Sequence, residues 1–151
     1  MSPKLKIGDS RVLESREALD GTMIRRRRIT PDGRRFTTYE RIELPMPTVI
    51  KKNGDRKNFD RDKLFISVKR SVGKFFNSDI EIEDVVDKTM NLIIEKGKDE
   101  ISSREIGQSV MEILAEINDV AYIRYASVFQ EFKTLDDFER ILKEQKEKKK
   151  K

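Results

Sequence analysis

The chain has 151 residues, with 33 Lys and Arg against 28 Asp and Glu, a net charge of +5 and a pI near 9.4; charged residues make up 40% and apolar ones 36%. It contains no cysteine and no histidine, which excludes disulfides, thiolate or imidazole zinc sites, cysteine nucleophiles and histidine general bases. The basic balance suits a polyanionic partner. The first residues do not follow a leader pattern and no apolar run is long enough to span a bilayer, so a cytoplasmic protein with no membrane partner is expected.

Residues 10–44 read as three short strands, SRVLESRE, TMIRRRRIT and RRFTTYERIEL. The turn signals Asp20-Gly21 and Pro31-Asp32-Gly33 separate them, which predicts a three-stranded antiparallel module. LPMP, Leu44 to Pro47, ends the third strand because its prolines cannot donate ladder hydrogen bonds. A domain boundary near residue 47 follows. VIKKNGDRKNF, Val49 to Phe59, then carries Asn53-Gly54, the residue pair best suited to the positive φ angles of a tight hairpin.

From Asp60 the apolar period changes to that of helices. Leu64, Val68, Val72, Phe75 and Phe76 share one face, and Val86, Met90, Ile93 and Ile94 repeat the pattern. Ser102 followed by Glu105 has capping-box spacing, and it precedes a third stripe of Ile106, Val110, Ile113, Leu114 and Ile117. Ala121, Tyr125, Val128 and Phe132 mark a fourth helix. A fifth begins near Asp136 with Phe138, Ile141 and Leu142 and runs into KEQKEKKKK, which reads better as a frayed, solvated tail than as a nucleic-acid arm.

Residues 23–44 hold seven arginines. Strand alternation puts Arg26 and Arg28 on one face and Arg25 and Arg27 on the other. In the third strand Phe36, Thr38, Ile42 and Leu44 share a face, leaving Arg35, Thr37, Tyr39 and Arg41 opposite, so one face is expected to be apolar and the other cationic with an aromatic. That second face suits a phosphate backbone, since guanidiniums form charge-assisted bonds to phosphate and can also read guanine. With the basic strands taken together, the expected DNA-contacting set is Arg16, Arg25, Arg26, Arg27, Arg28, Arg35, Thr37, Tyr39 and Arg41. The residues alone also allow a plainer reading, in which these arginines solubilise a small sheet and pair with Glu14, Glu17, Glu40 and Glu43. Lys51, Lys52, Arg56 and Lys57 on the hairpin, with Lys63 in the first turn of the next helix, likewise fit either a phosphate site at a helix N-terminus or a solvated hairpin. No Walker-A pattern occurs.

The segments SREALDGTMIRRRRI and GRRFTTYERIEL within Ser15 to Leu44, PTVIKKNGDRKNFDRDKL after them, and VAYIRYASVFQEFKTLDDF from Val120 to Phe138 together resemble the NrdR family, bacterial-type repressors of ribonucleotide reductase genes. The likeness keeps the same order and spacing over residues 8–142. It implies an N-terminal zinc-ribbon DNA-binding domain and a C-terminal ATP-cone that binds ATP and dATP. Nucleotide would control a homo-oligomer, and through it binding to double-stranded DNA at reductase gene promoters. The resemblance maps the nucleotide site onto Val49, Lys51, Lys52, Lys57, Asp60, Lys63, Leu64 and Ser103, with lysines on phosphates and Val49 and Leu64 on the base. In many cones Lys52 would be an arginine and Lys57 a glutamate, so this site is more cationic. Tyr122 and Tyr125 are expected to pack or to make oligomer contacts.

One departure from the family is large. Its ribbon is held by four cysteines, one pair at the chain start and one immediately before the glycine preceding RFTTYER. Here SPKLK and ITPDG stand in those places, the second one residue shorter. Carboxylates such as Asp9 and Asp32 cannot rebuild a tetrahedral sulfur site, so no structural zinc is expected and the small sheet has a marginal core.

The expected architecture is α+β: a metal-free ribbon-like DNA-binding sheet over residues 1–47, a mainly helical ATP-cone with an N-terminal hairpin over 48–140, and a Lys-rich tail over 141–151. The expected function is nucleotide-responsive repression of reductase genes, with adenine nucleotides as allosteric ligands. The rival is an ATP-cone adaptor that has lost DNA binding and docks on a protein such as a reductase subunit. An NTP-processing enzyme is disfavoured, because no acid cluster for Mg²⁺ and no positioned base is evident.

Overall fold

The computed structural model describes residues 4–150. The chain divides into two compact units, Met1–Leu44 and Pro45–Lys151. In the first, β1 (Arg11–Ala18), β2 (Met23–Ile29) and β3 (Arg35–Arg41) form an antiparallel sheet in the order β1-β2-β3. A register shift between Val12 and Glu14 bulges β1. Only Met23 among the sheet's apolar side chains is fully buried, at 1% exposure, while Leu5, Ile7, Val12, Leu13 and Ile42 are exposed. Hydrophobic burial therefore contributes little to this unit, and cross-strand contacts and turns matter more.

Two expectations for the sheet need correction. The third strand ends at Arg41, so Ile42 and Leu44 lie beyond it. Nor is one face purely apolar: Arg28 stands directly opposite Phe36 and Arg26 opposite Thr38, and residues paired across an antiparallel ladder share a face.

The second unit is mainly helical. β4 (Thr48–Ile50) pairs antiparallel with β5 (Arg56–Lys57) and parallel with β6 (Glu100–Ser102). Around this small sheet run α1 (Arg61–Val72), α2 (Asp79–Glu95), α3 (Ser103–Ile117), α4 (Asp119–Phe129) and α5 (Leu135–Lys149). Their starts are chemically specified. The Asp60 carboxylate accepts from the Lys63 amide at the head of α1, and Ser102 and Glu105 close the anticipated capping box on α3. Asn118 ends α3 and caps α4, accepting from the Ala121 amide while its own amide group donates to the Phe75 carbonyl at 3.0 Å.

Leu64, Val68 and Val72 of α1, Val85, Val86, Met90 and Ile93 of α2, and Val110 and Leu114 of α3 form the core. Phe75 leaves the first stripe because α1 stops at Val72 and a 3₁₀ turn, Gly73–Phe75, follows; Phe76 lies beyond that turn. On α4 the buried residues are Ala121, Tyr122 and Ala126, whereas Val128 is exposed and Phe132 lies past the helix end. The fifth helix does not fray at residue 142. It continues to Lys149, with Gln145 buried and donating to the Ala115 carbonyl at 2.8 Å and to Asp119 at 3.0 Å. Among the described residues no helix is long and apolar enough to cross a membrane.

Candidate functional site

The parallel pairing of β4 with β6 sets Ile50 against Ser102. The N-terminus of α3 is thereby carried to the end of β4, from which the chain continues into Lys51. The β4–β5 hairpin and the start of α1 close the other side of the same hollow. The result is a cavity of about 340 Å³. Val49, Lys51 and Lys57 line it from the hairpin, Asp60, Lys63 and Leu64 from the start of α1, and Ser103 from α3.

Lys52 is not among the lining residues; it belongs to the tight turn in which the Lys51 amide donates to the Asp55 carbonyl and the Gly54 amide to the Lys51 carbonyl, both at 2.9 Å. Asp60 lines the cavity, but one of its oxygens already caps α1 by accepting from the Lys63 amide at 3.2 Å. The Lys57 side chain, followed by lesser burial and Lys63 effects, holds the Lys51 ammonium below the usual lysine range. Three lysines at one mouth repel each other until an anion enters. Two helix N-termini, those of α1 and α3, add the positive ends of their dipoles at the same place.

The opposite wall is apolar. Ile106 and Gly107 of α3 and Tyr125 and Phe129 of α4 line it, and the two rings stack with centroids 6.0 Å apart and planes inclined by 20°. Tyr125 packs on Phe129 as expected and also lines the cavity. Gly107 is required for the close fit, since a Cβ there would lie 2.2 Å from Phe129 Cε2. Cationic at one end and aromatic at the other, the cavity matches a nucleotide in both chemistry and size.

The sheet unit presents two unlike faces. Register pairs Arg25 with Tyr39 and Arg27 with Thr37 on β3, and Arg16 with Arg25 and Glu14 with Arg27 on β1. Arg35 and Arg41 share this face, with the Arg41 guanidinium 5.0 Å from the Tyr39 ring centroid. Glu14 is ion-paired with Arg16. The other face carries Arg26 and Arg28 among Glu17, Phe36, Thr38 and Glu40. There Arg26 sits 3.6 Å from Glu40, and Arg28 donates to the hydroxyls of Thr38 and Ser10 at 3.0 and 3.2 Å. Arg27 likewise donates to the Thr37 hydroxyl at 3.2 Å, so both faces hold arginines bonded within the sheet; the face with five arginines and a tyrosine is the more cationic and is the one suited to a polyanion.

A small arginine-faced β-sheet and a helical unit with a cationic, aromatic-backed cavity define the class: one chain that combines a nucleotide-binding module with a module suited to a polyanion. Family comparison agrees. Residues 47–135 match the ATP cone domain, and residues 3–40 match the N-terminal domain of NrdR-like transcriptional repressors. Proteins named transcriptional repressor NrdR are similar over nearly the whole length. That of Dictyoglomus turgidum is 44% identical over 140 residues, covering 92% of this chain and 93% of its own. The Ligilactobacillus salivarius protein is 46% identical over 143 residues, with 94% and 91% covered, and the Sinorhizobium medicae protein 45% over 137, with 90% and 87% covered. The chain belongs to the NrdR family.

Proposed function

We propose that this chain is a nucleotide-responsive, DNA-binding transcriptional repressor of ribonucleotide reductase genes. It acts as a regulator and not as an enzyme. The observation that carries this reading is the convergence of Lys51, Lys57 and Lys63 with the N-termini of α1 and α3 on a cavity backed by Tyr125 and Phe129. A triphosphate would meet the lysines and helix amides, and adenine would meet Val49, Leu64 and the aromatic wall. ATP and dATP are the ligands proposed to compete for it.

In the sheet, the face bearing Arg16, Arg25, Arg27, Arg35, Thr37, Tyr39 and Arg41 would lie on a duplex, with guanidiniums on phosphates and groove edges. A homo-oligomer whose state depends on the bound nucleotide would change how many such faces meet one duplex, and so change avidity without altering any single contact. Binding DNA with adenine nucleotides as ligands supports a cytoplasmic location.

The family's zinc does not fit these residues. Where the ligand pairs would stand, the chain has SPKLK and ITPDG, which supply no sulfur or imidazole donor. Zinc sites of this kind need four sulfur or nitrogen donors. We therefore assign no structural zinc to the ribbon.

Binding to a reductase promoter fragment and to a scrambled duplex, with ATP, dATP or no nucleotide, tests the function. Preference for the promoter that changes with nucleotide supports it. Equal affinity for both duplexes under every condition overturns it.

A further inference from the structure

The turn joining β2 to β3 occupies the place where the family's second ligand pair would lie, and it is tightly bonded. The Thr30 amide donates to the Arg34 carbonyl at 2.8 Å, and the Gly33 amide donates to the Thr30 carbonyl at 2.9 Å. In return the Arg34 amide donates to the Thr30 hydroxyl oxygen at 2.9 Å. That hydroxyl also bonds the Asp32 carboxylate, which accepts from Arg34 Nε at 3.0 Å on its other oxygen. Gly33 turns the chain at φ +89°, a conformation that side-chain-bearing residues rarely adopt. Thr30 is only 7% exposed, the one buried polar side chain among the described residues of the sheet unit.

The surroundings fit an ionic closure and not a metal. A cavity of about 340 Å³ beside the turn is lined by Lys4, Lys6 and Arg34 together with Asp9 and Asp32. Three cations facing two carboxylates would repel a divalent ion, yet they favour an ionised Asp32. The Thr30 hydroxyl, and after it Arg34, hold that carboxyl below the usual range.

We infer that the Thr30–Asp32–Arg34 network replaces the metal of the ribbon. It closes the turn, fixes the register of β2 against β3, and keeps Arg25 and Arg27 in line with Tyr39 and Thr37. The repressor's DNA binding consequently needs no zinc and is untouched by chelators or thiol oxidants. This inference rests on the metal-free reading proposed above and adds the device that makes it workable.

Three measurements on the full chain test it. Elemental analysis should find far less than one zinc per chain, and EDTA or the thiol oxidant diamide should leave melting and DNA affinity unchanged. Stoichiometric zinc, or melting and affinity lowered by EDTA, overturns the metal-free reading. Thr30→Val keeps the side-chain volume but removes the hydroxyl, and Asp32→Asn removes the charge. Each should speed hydrogen exchange at the Arg34 and Gly33 amides at least tenfold and weaken DNA binding, with ATP affinity unchanged as proof that the cone is folded. Parental exchange rates in both variants overturn the network even if zinc is absent. DNA binding tests the repressor reading and amide exchange tests the network, so the two fail separately.

Discussion

Phe129 on α4 lies so close to Gly107 on α3 that a methyl group at residue 107 would overlap its ring, with Cε2 at 2.2 Å and Cζ and Cδ2 at 2.8 Å. The same two residues line the apolar wall of the nucleotide cavity. Gly107→Ala should therefore push Phe129 out of position. The mid-helix gain of about 1 kcal/mol over glycine is set against an overpacking cost of about 1–3 kcal/mol. The expected outcome is unchanged or slightly lower thermal stability with weaker ATP binding. Calorimetry showing parental affinity in Gly107→Ala would mean that the ring position does not matter to the ligand.

The lysines make a sharper contrast. Lys51 and Lys63 line the cavity and Lys52 does not. Lys51→Ala or Lys63→Ala should weaken ATP and dATP binding at least tenfold, about 1.4 kcal/mol, through loss of a charge-assisted phosphate contact. Lys52→Ala should change affinity much less. Calorimetric titration of the three variants checks the order, and an equal loss in all three would point to general electrostatics.

Arg61 joins α1 to α2 at the base of the cavity helix. Its guanidinium lies 2.5 Å from Glu83 and 2.6 Å from Asp87, with side-chain exposures of 18%, 12% and 22%. Burial opposes its charge, but hydrogen bonds to Asp87 and Glu83 outweigh that and hold the guanidinium protonated. Removing one member of such a cluster leaves carboxylates buried without their cation. Arg61→Ala should cost about 3–5 kcal/mol of stability, measured by urea unfolding. A loss below about 1 kcal/mol would show that water reaches the carboxylates and replaces the ion pair.

Acid should loosen the helix starts first. Lys98, and then the Ser102 amide, hold Glu105 below its ordinary 4.5. Lys149 and Gln145 hold Asp119 below 3.8, and the Lys133 and Thr134 amides do the same for Asp137. For a depressed carboxyl the stabilisation is full above the unfolded value and is lost as pH falls through the folded one. Thermal stability should accordingly be flat near neutrality and fall below about pH 4. Asp137→Asn should flatten part of that slope, because it removes one of the groups that must be protonated. A variant with the parental slope would exclude the cap as a contributor.

Strong local signals explain what could be read from the sequence. The Asp20-Gly21 and Pro31-Asp32-Gly33 turns bound β2, and Ser102 with Glu105 forms the capping box on α3. The strand Glu100–Ser102 was not foreseen, because three residues are too short for alternation to register. Yet its parallel pairing with β4 is what carries α3 to the cavity. Gly107, Tyr125 and Phe129 were missed as cavity residues for a related reason. They lie among helical stripe positions, and nothing in their spacing distinguishes a cavity wall from a core. Lys52 was expected in the site by resemblance, and it is not among the lining residues. The two arginine faces were separable by alternation, whereas the partners of each arginine depended on the cross-strand register with β1 and β3.

That partnering decides the final prediction. Arg26 faces Glu40 and Arg28 bonds Thr38 and Ser10, so both are engaged within the sheet. Arg25, Arg35 and Arg41 share the opposite face with Tyr39. A phosphate contact releases counterions, so DNA affinity should fall steeply with salt. Arg25→Ala and Arg35→Ala should each flatten the plot of log affinity against log salt by about one unit per lost contact. Arg26→Ala should leave that slope near the parental value. Arg28→Ala should lower the melting temperature of the sheet, because it removes bonds that tie β2 to β3 and to Ser10. Nucleotide affinity should stay unchanged in all four, since no arginine of the sheet lines the cavity. Binding to a promoter fragment at several salt concentrations, with ATP and with dATP, measures the slopes. If Arg26→Ala flattens the slope and Arg25→Ala does not, the duplex lies on the Arg26 face and the assignment of faces is reversed.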